Sequence, residues 1–337
     1  MIFAPAPTLT VTVEDHPDGS DVHVHAGGQG VWQARMLRRL GADVTMCSVL
    51  TGETGRVLLH LLRDEGLKVV AIEREGRGSA YVHDRRGGQR VAVVEEEGDP
   101  LGRHELDELY GAALDAGLAA QLAILSGPAG QRALPPDTYR RLAADLREGG
   151  GRVIVDLAGE RLDAALAGGV DVLKVSDEEL LADRRLTTAS VPALLRAMRE
   201  LHAHGARTVI VSRSEQPLIL LDEQGFLEVT PPELQVADTR GAGDSLTAGV
   251  AAAMARGESP RDAVTLGAAA GALNVTRHGL GTGDAGAIAR LREAVAVRPL
   301  SDALVAEIEQ PNTGRVSPDG LAALAEPDPR DEPGARS

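Results

Sequence analysis

The residues with the clearest chemical potential in this chain of 337 residues lie in Asp238-Thr239-Arg240-Gly241-Ala242-Gly243-Asp244-Ser245, at the head of a predicted helix over 243–256. Gly241 and Gly243 leave backbone N–H groups free to converge on an anion, and the positive end of the helix dipole adds to the attraction. A carboxylate is poorly placed for simple phosphate binding, since like charges repel. It suits a site in which Asp244 takes the proton of a hydroxyl that attacks phosphorus while that anion hole stabilises the transferring group. A plainer reading is equally open from these residues alone: Asp244 N-caps the helix and the glycines make its turn.

The elements that must position this segment follow from hydrophobic periodicity. Short β-branched runs alternate with helical stretches: Val44–Leu50 then Gly55–Glu65, Leu122–Ser126 then Asp137–Glu148, Val153–Asp156 then Glu160–Ala167, and Val172–Val175, Val191–His204 and Thr208–Ser212. Strands separated by helices of this length cannot form hairpins, so they imply right-handed crossovers and a mostly parallel sheet covered on both faces. Two segments break the alternation: Asp21–His25, and Ser79–Asp84 with Arg90–Glu95 across Gly87-Gly88. They read as a small antiparallel flap. A strand Phe226–Thr230 precedes a Pro231-Pro232 break, and helices are predicted over 243–256, 260–277 and 284–296. From Arg298 the composition turns to Pro, Asp, Glu and Gly; a short helix over 300–308 and then a mobile tail are expected.

Composition excludes several classes. With 35 Lys+Arg against 50 Asp+Glu the formal charge is −15, which disfavours nucleic acid and anionic membrane surfaces in the absence of a local basic patch. Lysine occurs only at Lys68 and Lys174, so no glycine-rich loop ends in the GK[ST] of a Walker-type phosphate site. Gly28-x-Gly30-x-x-Gln33 lacks the third glycine of a dinucleotide fingerprint. Cys47, the single cysteine, sits in an apolar run and reads as a small buried hydrophobe. His23 and His25 share one strand face, but nothing around them completes a metal set. Neither a signal peptide nor an apolar run of ~18 residues is present, so a cytoplasmic location is expected.

The segment D-T-x-G-A-G-D with a helix rich in small residues resembles the carboxy-terminal signature of the PfkB (ribokinase-like) carbohydrate kinases. A second, distant segment strengthens the likeness: Gly27-Gly28-Gln29-Gly30, then Ala34-Arg35-Met36-Leu37-Arg38-Arg39-Leu40-Gly41 and Gly52-Glu53-Thr54-Gly55, is similar to that family's amino-terminal signature. Ser126-Gly127, Leu134-Pro135-Pro136-Asp137-Thr138-Tyr139 and Asp156 follow in family order, so the resemblance covers residues 1–297 and is nearest in flavour to the 1-phosphofructokinase and tagatose-6-phosphate kinase branch.

The resemblance implies a three-layer α/β/α sandwich with a mostly parallel sheet, in one kinase domain over 1–297 with a β lid over about 10–26 and 77–97. It implies γ-phosphoryl transfer from Mg-ATP to a sugar or sugar phosphate, with Asp244 as catalytic base and Gly241, Ala242 and Gly243 as anion hole. Gly27, Gly28, Gln29, Gly30, Thr10, Trp32 and Arg77 map to acceptor binding, Arg77 as the grip on a substrate phosphate. Ser212, Ser214 and Asn274 map to the nucleotide, Glu179 to magnesium through water, and Asp238 to a monovalent cation such as K+. A homodimer through the lid is a further expectation.

Departures fall mainly on substrate reading. Gln29 and Trp32 replace the lysine and asparagine of G-G-K-G-x-N, Thr10 stands where an early aspartate is usual, Ser176 replaces the motif asparagine, and Ser214 and Pro217 replace glycines. Trp32 either stacks on a ring of the ligand or packs beneath its loop. A kinase for a nucleoside or other alcohol, and a non-catalytic binding relative, are the competing readings.

Overall fold

Short runs of Val, Ile and Leu alternate with amphipathic stretches, and in the computed structural model the chain folds as that alternation requires. The structure describes residues 1–128, 130, 132–188, 190–214, 216–276 and 281–309. In chain order, β1 (Ile2–Phe3) is followed by β2 (Thr8–His16), β3 (Gly19–Gly27), α1 (Gln29–Arg39), β4 (Thr45–Thr51), α2 (Gly52–Asp64), β5 (Lys68–Arg74), β6 (Ala80–Asp84) and β7 (Val91–Glu96). Then come α3 (Arg103–Leu118), β8 (Ala123–Ser126), α4 (Asp137–Glu148), β9 (Val153–Asp156), α5 (Gly159–Gly168), β10 (Val170–Ser176) and α6 (Asp177–Ala182). The described chain ends with α7 (Val191–Ala203), β11 (Ala206–Arg213), β12 (Gln216–Asp222), β13 (Gly225–Thr230), α8 (Ala242–Ala255), α9 (Pro260–Asn274), α10 (Ala285–Glu293), β14 (Ala296–Pro299) and α11 (Asp302–Glu309).

Ten strands form one sheet in the order β14-β13-β12-β11-β10-β9-β8-β1-β4-β5. From β11 to β5 every pairing is parallel, whereas β12, β13 and β14 add on antiparallel. Strand residues alternate between two cores. Ile2, Ile124, Ile154, Val172 and Ile210 pack in the layer that holds α1, α2, α8 and α9, and Phe3, Leu125, Val155, Leu173 and Val211 in the layer of α3, α4, α5 and α7. The result is an α/β/α sandwich. Successive strands depart from β1 in opposite directions, to β4 on one side and β8 on the other, which leaves a crevice at their carboxyl ends.

The body continues beyond the expected boundary at 297. Ala296–Pro299 is the edge strand β14, paired antiparallel with β13, and Leu300 and Ile308 are buried in the core. The short apolar run Val295–Val297 fits either a helix end or a strand by period, and pairing with β13 decides it. The expected mobile tail from 310 onward lies outside the described residues. Helix α3 was not foreseen, because only Leu109, Ala113 and Gly117 of its sixteen residues are buried.

Hairpins β2–β3 and β6–β7 leave the main body and join as a separate sheet in the order β3-β2-β6-β7, with β2 and β6 parallel. The register separates its two faces. Thr10, His25 and Tyr81 align on one, with Thr12, His23 and His83 beside them; Val11, Val24, Val82 and Val94 align on the other, with Val13, Val22 and Val91. The valine face is open: Val22 is 56% exposed, Val24 45% and Val91 60%.

Helices α8 and α9 approach so closely that a Cβ on Gly249 would lie 2.6 Å from the Cα of Gly267. This contact sets the height of α8, whose amino terminus carries the Gly241–Asp244 segment. Gly249→Ala should therefore destabilise the protein by ~1–3 kcal/mol, as overpacking does, against the gain of ~1 kcal/mol that alanine gives in an unconstrained helix interior. Chemical denaturation reads the sign directly, and a more stable variant would show that the two helices have room to part.

Candidate active site

The carboxyl ends of β8, β9 and β10 bring Ser126, Asp156 and Lys174 to the crevice, and α1 and α8 close it from the opposite layer. Asp156 is 1% exposed and has every oxygen engaged: Lys174 Nζ lies 3.3 Å from Oδ1, and Thr247 Oγ1 and Gln33 Nε2 donate to Oδ2 at 2.8 and 3.1 Å. Gln33 is the junction of the network. Its amide also reaches Oδ1 of Asp244 at 3.4 Å, and its carbonyl accepts from the Ser126 hydroxyl. Tyr139, inside the core, donates to the Ser126 carbonyl at 2.9 Å and fixes that strand end.

The N-cap of α8 is Gly241, in the left-handed region at φ 71°, so Asp244 sits two residues into the helix and is not its cap. Lys174 packs behind this turn: a Cβ on Gly243 would come within 2.5 Å of its Nζ, so a side chain at position 243 would displace the ammonium. Burial works against that ammonium, but Asp156, Glu179 and Asp244 outweigh it and raise its pKa. The Asp244 carboxyl is pushed up to about 8, first by burial and then by the charge of Asp156; Glu179 adds to the shift, while Lys174 and the Gln33 hydrogen bond oppose it. An acid poised in this range exchanges protons with a hydroxyl near neutral pH. The Ala242 N–H donates to the Thr239 carbonyl at 3.4 Å, which leaves the N–H groups of Gly241 and Gly243, with a fixed cation beside them, to stabilise an anion.

Glu179 is neither a free metal carboxylate nor a solvated charge. Ser176 caps α6 by accepting from the Glu179 N–H at 3.1 Å, while Glu179 Oε2 accepts from the Ser176 N–H at 2.7 Å and its hydroxyl at 2.8 Å. The Ser-x-x-Glu spacing is a capping box. Among the described residues no group of three or more His, Cys, Asp or Glu is arranged to hold a metal ion.

Several expected ligand contacts are committed elsewhere. Gln29 Oε1 accepts from the Gly127 N–H at 2.9 Å. Arg77 is 74% exposed and its guanidinium faces Asp99 at 3.2 Å and Glu96 at 3.9 Å. Asn274 donates to the Arg240 carbonyl at 2.7 Å and accepts from the Gly281 N–H at 3.2 Å, so it ties two site loops together. Asp238 accepts from the Arg240 N–H and pairs with its guanidinium at 3.6 Å. Thr10 is buried on the lid face beside Gly27, while Gly28 caps α1 and Gly30 is its second residue. Trp32 stands on the first turn of α1 with its indole nitrogen buried and unpartnered. Ser212 ends the pairing of β11 with β10, and Ser214 follows at φ 39°, a conformation that favours glycine. His23 and His25 line the space beneath the lid. Cys47 is buried, its thiol pushed up to about 11 by desolvation, and plays no part.

Residues 2–285 match the family described as pfkB family carbohydrate kinase. The chain belongs to the pfkB family. The ATP-dependent 6-phosphofructokinase isozyme 2 of Escherichia coli is 31% identical over 291 residues, covering 81% of this chain and 91% of that protein. The 1-phosphofructokinase of Vibrio cholerae is 26% identical over 279 residues, covering 82% and 87%. The crystal structure of phosphofructokinase-2 from Escherichia coli in complex with potassium superposes with a TM-score of 0.77 at 26% identity, covering 87% of this chain and 97% of that one. The fold is ribokinase-like, and the pfkB kinase is an ATP-dependent phosphotransferase with an alcohol acceptor.

Gln33, Lys174 and Thr247 are the residues of this pfkB site that carried no weight in the sequence. Lys174 had a signal: it is one of two lysines in the chain and interrupts the apolar strand Val172–Val175.

The raised pKa of Asp244 has a stability signature. Its carboxyl ionises near 3.9 in an unfolded chain but near 8 in the folded one, so between these values the folded state binds more protons and loses stability as pH rises, levelling off above about 8. Asp244→Asn removes that loss. Its melting temperature should exceed that of the wild type by a margin that widens from about pH 5 to about pH 9; a margin constant with pH would mean that Asp244 ionises normally.

Proposed function

We propose that this kinase transfers the γ-phosphoryl group of ATP to a hydroxyl of a phosphorylated sugar, with Asp244 as the base. The observation that carries the reading is the position of Asp244, beside the open amino terminus of α8, with a raised pKa and with Lys174 behind Gly243. Asp244 takes the acceptor proton as its oxygen approaches phosphorus. Gln33 aims the carboxylate, and Asp156 holds Lys174 where its ammonium and the N–H groups of Gly241 and Gly243 offset charge on the transferring group.

Magnesium supplies neutralisation of the nucleotide phosphates when bound. The donor set fits an ion held mainly by those phosphates and water, since Asp156 is saturated and Glu179 keeps only Oε1 unengaged, and we assign Glu179 to a water-mediated contact. The loop of Asp238 is proposed for a monovalent cation, supported by likeness to a phosphofructokinase-2 solved with potassium. Asn274 and Ser214 shape the nucleotide side through their loops. Use of ATP favours the cytoplasm, and no helix among the described residues is long and apolar enough to cross a membrane.

ADP release from Mg-ATP with a panel of sugar phosphates, sugars and nucleosides tests the assignment. Asp244→Asn should lower turnover by ~10²–10⁴-fold with nucleotide binding retained. More than about a tenth of wild-type turnover, with chemistry rate-limiting, would remove Asp244 from the role of base.

The open valine face of the lid supports a homodimer. Two such faces stacked at the usual sheet spacing of ~10 Å would cover side chains that a monomer leaves in water. Val24→Glu, which places a charge at the centre of that face, should convert a dimer to a monomer in sedimentation velocity; an unchanged sedimentation coefficient would send the interface elsewhere.

A further inference from the structure

A cavity of about 700 Å³ lies beneath the lid, between its polar face and the exposed side of α1, and reaches the Asp238 and Gly281 turns. Most half-buried cations around it are paired. Arg35 donates to both carboxylate oxygens of Glu65, and Arg85 meets Glu14 at 3.3 Å. Arg90, at the start of β7, is different. Its guanidinium lies over the Tyr81 ring at 5.8 Å, it makes no hydrogen bond or ion pair among the described residues, and its Nε is buried without a partner.

A second unsatisfied group shares that face. His83 is fully buried and stacks on Tyr81 with ring centroids 5.0 Å apart; Nε2 meets the Thr12 hydroxyl at 3.1 Å and Nδ1 has no partner. Burial pushes its pKa down to about 4, and the charges of Arg90, Arg85, His25 and Arg240 act in the same direction. An unpaired half-buried guanidinium is costly unless a ligand completes it.

The positions from which the family resemblance would grip a phosphate are occupied. Arg77 is held by Asp99, and Gln29 brings no charge and bonds Gly127. Arg90, by contrast, lines the cavity and makes no hydrogen bond or ion pair among the described residues. We propose that Arg90 binds the phosphate carried by the acceptor, so that in this chain the acceptor's phosphate is read by Arg90 rather than by Arg77. This rests on the kinase reading above. The planar, charged fork of a guanidinium suits the oxygens of a phosphate. The Tyr81 ring keeps the Arg90 fork flat over the cavity.

The test measures ADP release and acceptor affinity for wild type, Arg90→Gln, Arg90→Lys and Arg77→Gln, with fructose 6-phosphate, fructose 1-phosphate, tagatose 6-phosphate, fructose and gluconate as probes. Arg90→Gln should raise the KM of the preferred sugar phosphate about ten- to a hundredfold, the loss of one charge-assisted contact. The KM for ATP and the melting temperature should hardly move, and Arg90→Lys should recover part of the loss. A wild type that releases ADP with none of the probes overturns the sugar-kinase reading and the proposal with it. A wild type active on sugar phosphates whose KM rises with Arg77→Gln and not with Arg90→Gln leaves the kinase reading standing and overturns the proposal. Preference for gluconate or for unphosphorylated fructose also overturns it, since the group bound would then not be a phosphate.

Discussion

The buried pair of Asp156 and Lys174 is the constraint around which the site is arranged. Two charges taken from water are tolerated only when geometry and added hydrogen bonds compensate their desolvation, and removing one partner of such a pair typically costs about 3–5 kcal/mol. Here the compensation comes from Thr247 on α8, Gln33 on α1 and the β9 and β10 strand ends, so one ion pair draws four elements to a point. The absence of a side chain at Gly243 follows from the same demand, because the ammonium occupies that space. Asp244 then has no choice of environment: it faces a carboxylate on one side and a lysine on the other, and its proton affinity is the balance of the two.

That balance explains why rigid and adaptable parts are divided as they are. Ser126, Asp156, Lys174 and Ser176 stand at the ends of strands locked in a parallel sheet, where positions hold to fractions of an ångström. The groups over the cavity, by contrast, sit on a four-stranded sheet carried by two hairpins. Phosphoryl transfer needs fixed electrostatics at phosphorus, whereas acceptor choice tolerates change. The departures at Gln29, Trp32 and Thr10 map to the acceptor side, and the Asp244 segment is intact.

Much of this was legible in the residues. Glycines before a small-residue helix, and strands alternating with helices, have strong local signatures, so the layers and the Asp244 turn could be placed without coordinates. Gln33 could not, because its partners at 126, 156 and 244 meet it only through the fold, and a glutamine inside an amphipathic helix carries no pattern of its own. The Ser-x-x-Glu spacing that places Glu179 in a metal motif also spells a capping box with Ser176, which the motif alone did not bring out. Arg77, which maps to a phosphate grip, is paired with Asp99, a contact that only the fold brings about. The β14 strand was hidden for a different reason, since four residues at an edge leave too short a period to separate strand from helix.

The connection of the two lid hairpins carries a kinetic consequence. β2 and β6 lie side by side in parallel, with Thr10 against Tyr81 and the whole α1–β4–α2–β5 unit between them in the chain. Such a pairing closes a long loop, and its entropy cost must be met before its hydrogen bonds form. The lid sheet therefore assembles after the strands beneath it, and it is the first part to come undone when the protein opens locally. During that interval its valine face and its unpaired strand edges are exposed together, which makes the late step of folding also the step at which chains in a crowded solution are most apt to meet and aggregate.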